Sequence, residues 1–234
     1  MIVILSAMAG EIEATRNALK DTQEAGFAGR KLLKGSLCGK EAVVGHTGIG
    51  KVLAAMTAQG VIERYRPEAI VFLGIAGAIN PSYQIGDVVV ARDCVQHDID
   101  ATRFGFPRGA IPHEDVLDIA SDPGLVNYAL RWKVEGRGFH TGRILSGDRF
   151  VTSAGDPEDA HLRGELNGDV VDMESAAVAL VAHLNGVPFV VARVISDMAD
   201  GTMPDGFKGF LRDASEIILD LARHFAAFRS GNDA

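Results

Sequence analysis

The chain has 234 residues, 47% of them hydrophobic, and a formal net charge of −8. That length fits one large domain or two small ones with a sizeable core, and the acidic balance speaks against the basic footprint of a nucleic-acid binder. No apolar run approaches the roughly 18 residues of a membrane-spanning helix. The first residues, MIVILSAMAGE, lack a positive region and meet an acid at once, which is not a signal-peptide pattern. Cys38 and Cys94 are too few for a disulfide framework or a cysteine zinc site, and both read as buried small hydrophobes. No composition shift, low-complexity tract or repeat marks a linker, so the expectation is one α/β domain over residues 1–234, soluble and cytoplasmic.

Ile2 to Leu5 reads as a buried strand, and Ser6-Ala7-Met8-Ala9-Gly10 turns it into an amphipathic helix from about Glu11 to Lys20. At that helix entrance Glu11, like Glu13, could simply meet the helix dipole. Residues 31–39 and 40–47 read as two strands joined near Gly39-Lys40. Thr47-Gly48-Ile49-Gly50-Lys51 opens a helix through about Arg64. A Walker loop needs four residues between its glycines and Ser or Thr after the lysine, and neither is present. Ala69 to Leu73 is a buried strand ending in Gly74-Ile75-Ala76-Gly77-Ala78, small residues that let a backbone approach a ligand. The pattern is not the dinucleotide fingerprint.

Val88 to Ala91 is a further strand. His97, Asp98, Asp100 and Phe104-Gly105-Phe106-Pro107 follow in a loop region, with Phe106 expected to anchor the loop in the core. His97 and Asp98 could ligate a metal, but no third ligand stands at a suitable spacing, and no metal is expected. Val116 to Glu135 reads as a helix on the outside of the sheet and Phe139 to Leu145 as a strand. Asp148 and Arg149, in the turn that leaves that strand, read as a local ion pair.

From Val170 the chain reads as a helix with Ala176, Ala177, Leu180, Val181 and Leu184 on its apolar stripe, stopped by Asn185-Gly186 and Pro188. Phe189 to Ile195 is almost uninterrupted apolar sequence, as in a strand covered on both faces. Arg193 is the exception. A buried unpaired charge is too costly to keep, so it needs an acidic partner or a place at the sheet edge. Acids stand near by: Asp172 and Glu174 at the helix start, Asp197 and Asp200 just past the strand. Ligands of open α/β sheets bind outside the carboxyl ends of strands, where Ser196-Asp197 falls. The residues alone leave this cluster open between a binding site and an acid-decorated helix start with one buried ion pair. Phe207 to Phe228 reads as a helix with Phe210, Leu211, Ala214, Ile217, Ile218, Leu221 and Phe225 on its core face. Residues 226–234 read as a frayed tail.

The run DMESAA at Asp172 to Ala177, followed by VPFVVARVISDMADG, resembles the signature of the nucleoside phosphorylase/nucleosidase superfamily, and within it the 5′-methylthioadenosine/S-adenosylhomocysteine nucleosidases. The resemblance runs from Met1 to about Leu221. It implies a single-domain three-layer sandwich whose central mixed, mostly parallel sheet is flanked by helices. It also implies a purine nucleoside substrate, no cofactor, no nucleic-acid or membrane partner, and a homodimer in which residues 101–112 complete the neighbour's pocket. Phosphorylases of the superfamily carry an arginine two residues before the first glycine of the 74–78 stretch and a hydroxyl residue directly after it, both for phosphate. Here those positions are Phe72 and Ile75, so water is the implied nucleophile. Ile75 departs from the nucleosidases as well, which commonly keep a serine there that helps position the water.

The resemblance also assigns roles. Asp197 is the acid that protonates adenine at N7, with Ser196 supporting it, and it must hold its proton through burial or a hydrogen bond to its neutral form. Glu11, three residues after Met8, takes a proton from water. Glu174 binds the ribose hydroxyls and its charge favours an oxocarbenium-like transition state. Arg193 compensates Glu11 or Glu174 and helps hold the water. Met173 packs under the sugar and Ile49 against it. Phe150 stacks on the purine, the backbone of Val151 bonds its edge, and Phe207 closes over it. Met8, Ile75, Ala76, Gly77 and Asp172 complete the substrate contacts. Ala101, Phe104 and Pro112 form an apolar wall for the 5′ substituent, which suits a thioether and not a phosphate. Adenine and a 5-substituted ribose would be the products. A purine nucleoside phosphorylase, a futalosine-type hydrolase and a catalytically silent nucleoside-binding protein are the alternatives.

Overall fold

A computed structural model describes residues 1–114, 116–132, 136–152, 156–199 and 206–228. In chain order its elements are β1 (Ile2–Ser6), α1 (Glu13–Ala18), β2 (Lys20–Glu24), β3 (Leu32–Leu37), β4 (Lys40–His46), α2 (Lys51–Tyr65), β5 (Ala69–Ala78) and β6 (Val88–Gln96). A 3-10 turn at Thr102–Phe104 precedes β7 (Ile119–Ala120), α3 (Pro123–Ala129), β8 (Phe139–Ser146), α4 (Ala160–Gly164), β9 (Val170–Asp172), α5 (Ser175–Leu184), β10 (Phe189–Asp197) and α6 (Phe207–Ala226).

The strands form one mixed sheet. β1 pairs in parallel with β4 on one side and β5 on the other, and β5 pairs in parallel with β10. β10 runs antiparallel to β6, which continues in parallel to β8 and β9, while β9 returns antiparallel to the end of β5. β3 and β2 extend the other edge as antiparallel strands. Side chains alternate across a strand, so a strand buried at every position feeds two cores. Val3, Leu5, Val191 and Ile195 pack with α2 and α5 on one face. Ile2, Ile4, Val190 and Val194 pack with α3 and α6 on the other, where α1 also lies. The result is helices, sheet, helices: the expected three-layer sandwich.

Several local readings need correction. Residues 116–135 do not form one helix: β7 comes first, and among the described residues of that span only α3 is helical. Asp122 caps α3, its side chain accepting from Leu125 N, with Pro123 at the first turn. An Asp-Pro start of this kind breaks any helix running through it. Residues 115 and 133–135 lie outside the described residues. Val170–Asp172 is a strand and not the first turn of α5. The buried face of α5 is Ser175, Ala176, Ala177, Val178, Ala179 and Ala182, while Leu184 is 65% exposed. A helix held between the sheet and α2 turns its small residues inward. The first helix is shorter than read and β2 follows it. Cys94 is buried but Cys38 is exposed. Cys38 and Gly39 have φ of 50° and 80°, the left-handed pair that a two-residue hairpin turn between β3 and β4 requires. Phe106 is half-buried and meets His113 edge-on. α6 carries its expected stripe; residues 229–234 of the tail lie outside the described residues.

Two strands outrun their sequence signal, and both extensions reach the site. β5 continues through the Gly74–Ala78 stretch, and β10 includes Ser196 and Asp197. Ile195 pairs with Ala76 and Asp197 with Gly77, so Ser196 is the extra residue of a β-bulge. A bulge re-aims side chains at a strand end.

Candidate active site

Arg193 is 1% exposed in the middle of the sheet, so its charge must be met inside the protein. Its Nε donates to Asp172 Oδ2 (2.8 Å) and its Nη2 to Ser175 Oγ (2.8 Å). Asp172 also accepts from the hydroxyls of Ser146 and Ser175 and from the amides of Glu174 and Ser175. The guanidinium lies over the buried ring of Phe72, with Cζ 4.3 Å from the centroid. The anticipated acidic partner is therefore Asp172, and the sheet-edge alternative is excluded. Nη1 is buried and has no hydrogen-bond partner among the described residues.

Glu11 is buried in the turn between β1 and α1. Its carboxylate accepts from Met8 N (2.6 Å) and from Ile75 N (2.8 Å), which ties the turn after β1 to β5. Burial pushes its pKa up, and the Arg193 charge and the backbone donors offset part of that rise. Gly74 explains how both side chains fit. A Cβ built there would stand 2.7 Å from Glu11 Oε1 and 2.8 Å from Arg193 Nη1. The small residues of β5 thus make room for catalytic-type side chains, a use that sequence reading had assigned to the ligand alone.

Glu174, the residue that begins α5, accepts from Gly50 N (2.7 Å) at the start of α2. Burial, and then the negative charge of Asp172, push its pKa up to about 7, against the pull of the Gly50 amide and Arg193. Beyond the bulge, Asp197 Oδ1 accepts from Ala199 N (2.9 Å). Ser196 Oγ stands 2.7 Å from Asp197 Oδ2 and 3.1 Å from the carbonyl oxygen of Ala76. A Cβ at Gly77 would lie 2.8 Å from Asp197 Oδ1, so that glycine is required by the carboxyl group beside it. Asp200 lies outside the described residues.

These groups open onto one cleft of about 760 Å³, its mouth included. Its walls contain Glu11, Glu174, Ser196 and Asp197 together with Met8, Ile49, Ile75, Ala76 and Gly77. Phe150, Val151, Asp172, Met173 and Phe207 line it too. Arg193 stands behind the wall, bonded to Asp172. Ala101, Phe104 and Pro112 do not line this chain's own cleft, and Phe104 is 84% exposed.

Ala7, Arg149 and Val171, none of them expected at the site, line the cleft as well. Val171 was hidden in a segment read as helix. Arg149 was paired with the wrong acid: it meets Asp159 and Glu158, while Asp148 accepts from Lys51 N (2.9 Å). Asp98 bonds Lys51 Nζ (2.6 Å) and the Asp148 amide (3.0 Å), so it turns away from any ligand set with His97. Burial holds the His97 imidazole down at a pKa of about 4. Among the described residues no group of three His, Cys, Asp or Glu is placed to hold a metal ion, and no helix is long and apolar enough to cross a membrane.

The sequence profile of the phosphorylase superfamily matches residues 1–227. Over 218 residues the chain is 36% identical to the 5′-methylthioadenosine/S-adenosylhomocysteine nucleosidase of Staphylococcus haemolyticus, covering 92% of this chain and 94% of that one. Its structure is similar to that of the corresponding nucleosidase from Neisseria meningitidis in complex with methylthio-immucillin-A, with a TM-score of 0.88, 32% identity, and 95% and 96% of the two chains covered. It is also similar to the futalosine hydrolase of Helicobacter pylori, with a TM-score of 0.87, 32% identity and 95% of each chain covered.

Proposed function

The chain belongs to the 5′-methylthioadenosine/S-adenosylhomocysteine nucleosidase family of the phosphorylase superfamily, and we propose that it hydrolyses the N-glycosidic bond of those two nucleosides, releasing adenine and a 5-thio-substituted ribose. The observation that carries this reading is the convergence of Glu11, Glu174 and Asp197 on one cleft, backed by the buried charge of Arg193.

Phe150 and Val151 receive the purine, Met173 and Ile49 the sugar. Glu174, fixed by the Gly50 amide, binds the ribose hydroxyls. Water is held between Glu11 and the unpartnered Nη1 of Arg193. As the bond between C1′ and N9 breaks, its electron pair goes to the base and Asp197 delivers a proton to N7. The sugar's growing positive charge is met by the carboxylate of Glu174. Water attacks C1′ and gives its proton to Glu11. The Ser196 hydroxyl has one hydrogen and faces two acceptors. With that hydrogen on the Ala76 carbonyl, the hydroxyl accepts from Asp197 in its acid form.

Phosphorolysis would need a cation and a hydroxyl where Phe72 and Ile75 stand. Phe72 is wholly buried under Arg193, and the Ile75 amide is already given to Glu11. We further propose a homodimer whose 101–112 loops complete each other's 5′ pockets, and a cytoplasmic enzyme of methionine salvage and by-product removal; its two free cysteines suit that compartment. The test is adenine release from methylthioadenosine by purified protein with and without phosphate. Release in phosphate-free buffer with free methylthioribose is expected. Release only with phosphate, giving a ribose 1-phosphate, overturns the reading.

A further inference from the structure

Along the carboxyl ends of the strands, neighbours run β10, β5, β1, β4, β3. With the purine at Asp197 on β10 and the ribose beside Glu11 after β1, the 5′ substituent points past β1 toward β4 and β3. What stands there is positive. His46 ends β4, in register with Ser6 at the end of β1. The turn before β3 brings Arg30 and Lys31, and α1 brings Arg16. Arg30 Nη1 donates to Thr47 O (2.9 Å) and would lie 2.8 Å from a Cβ at Gly48, the neighbour of Ile49 in the cleft wall.

Among the described residues, Arg16, Arg30 and Lys31 have no acidic partner. Nε of Arg30 and Nδ1 of His46 are buried without hydrogen-bond partners. Leu32 pairs with Gly45, which sets Lys31 beside His46; burial first, and then the charges of Arg16, Arg30 and Lys31, hold the His46 imidazole below its usual range. Like charges gathered without counter-charge work against folding. In a chain of net charge −8 with ample acid to pair them, that gathering calls for an anion from outside.

We infer that the Arg16–Arg30–Lys31–His46 cluster is a carboxylate-binding subsite for the 5′ substituent, so that the enzyme favours nucleosides whose 5′ substituent ends in a carboxylate over those ending in a methylthio group. This rests on the nucleosidase reading and names the substrate class within it. The reach is adequate. Neighbouring strands lie about 4.8 Å apart, which puts β3 roughly 10 Å beyond β1. The carboxylate of a homocysteine substituent stands roughly 7 Å from C5′ when extended, and flexible arginine and lysine side chains span the rest. Such a carboxylate is otherwise repelled by the ionised forms of Glu11 and Glu174, a repulsion the cluster offsets.

The test compares methylthioadenosine, adenosylhomocysteine and the carboxamide of adenosylhomocysteine, in the wild type and in the Arg16→Gln/Lys31→Gln double variant, neither residue of which lines the cleft. Wild type is expected to lose about tenfold in kcat/KM from acid to amide, mostly through KM. The double variant should lose the same factor on the acid and leave methylthioadenosine and the amide unchanged. Arg30→Lys should keep the acid preference, since it keeps the charge. A variant that slows all three substrates alike, or none, overturns the subsite. Inorganic phosphate is the second probe. Inhibition confined to the acid substrate supports the subsite. Inhibition of methylthioadenosine turnover that vanishes in the double variant assigns the cluster to free anions and overturns it. Wild-type turnover of methylthioadenosine tests the nucleosidase reading separately, so intact turnover without acid preference refutes the subsite alone.

Discussion

Glu174 is a carboxylate that the fold makes costly to ionise, and two opposite pH dependences follow. Its pKa rises from 4.5 to about 7 because burial and the Asp172 charge penalise the anion. The ribose contact and the transition-state charge both use the anion, so its contribution to turnover grows as pH rises through about 7. Stability runs the other way. A carboxyl whose folded pKa is raised stabilises the fold fully below the unfolded value, and loses that contribution as pH rises through the folded one. Glu174→Gln keeps an acceptor for the Gly50 amide and never ionises. Its melting temperature should therefore exceed that of wild type at pH 8, by up to about 3 kcal/mol in stability, and the gap should close toward pH 5. A gap that stays constant over that range would show that Glu174 is not the strained group. Asp197→Asn tests the other carboxyl. It keeps the acceptor for the Ala199 amide and loses the acidic proton, so turnover should fall by about a thousandfold or more, with nucleoside binding changed little. An Asn variant with near-normal turnover would remove Asp197 from its role.

At the scale of elements, β5 is the strand on which the site is assembled. Gly74 admits Glu11 and Arg193 to one spot, and Gly77 admits Asp197. A methyl group at Gly74 must displace a carboxylate and a guanidinium that are both buried. Gly74→Ala should lower kcat by about 10–100-fold, the usual result of a misplacement of about 1 Å, while KM and the far-UV circular dichroism change little. Near-wild-type kcat would mean that the water does not lie between those two side chains. This strand also shows where sequence reading stops. β1, β10 and the first half of β5 were legible because a fully buried strand is a continuous apolar run, and α6 because its stripe has a strict helical period. The ends of β5 and β10 were not legible, since glycine, serine and aspartate carry no strand signal and are held there by pairing with neighbours. Nor was the bulge at Ser196, which exists only in the register between two strands. Arg193 announced its need of an acid, but the choice of Asp172 over Glu174 was fixed by a short strand that reads as the start of a helix. The site residues were named through a family resemblance; the residues alone could not separate Glu11 from Glu13.

The whole molecule leaves apolar surface that one subunit does not use. Val52 and Met56 on one face of α2, and Ile49 just before that helix, are exposed, and so is Phe104 in the loop that does not line its own cleft. Ile49 adjoins that face and is part of the cleft wall, so a partner seated on α2 would border the 5′ end of the nucleoside. In a two-fold dimer each site would then combine one subunit's carboxyl groups with the other's loop. Asp197→Asn and Phe104→Asp should each be nearly inactive as pure proteins, the first for want of an acid, the second because a charge enters the wall of the neighbour's pocket. In mixed dimers one of the two sites takes its acid from the Phe104→Asp subunit and its loop from the Asp197→Asn subunit, and both are intact. Co-expression in equal amounts should therefore restore about a quarter of wild-type activity, since about half the dimers are mixed and each has one sound site. The outcome separates two designs of the same cleft. Recovery means that Phe104 acts across the interface, and its exposure in the single chain is then the exposure of an unmet contact. A mixture as inactive as its parents means that the loop serves its own subunit or none, and the 5′ pocket must then be built from α2, Met8 and the basic cluster beyond them.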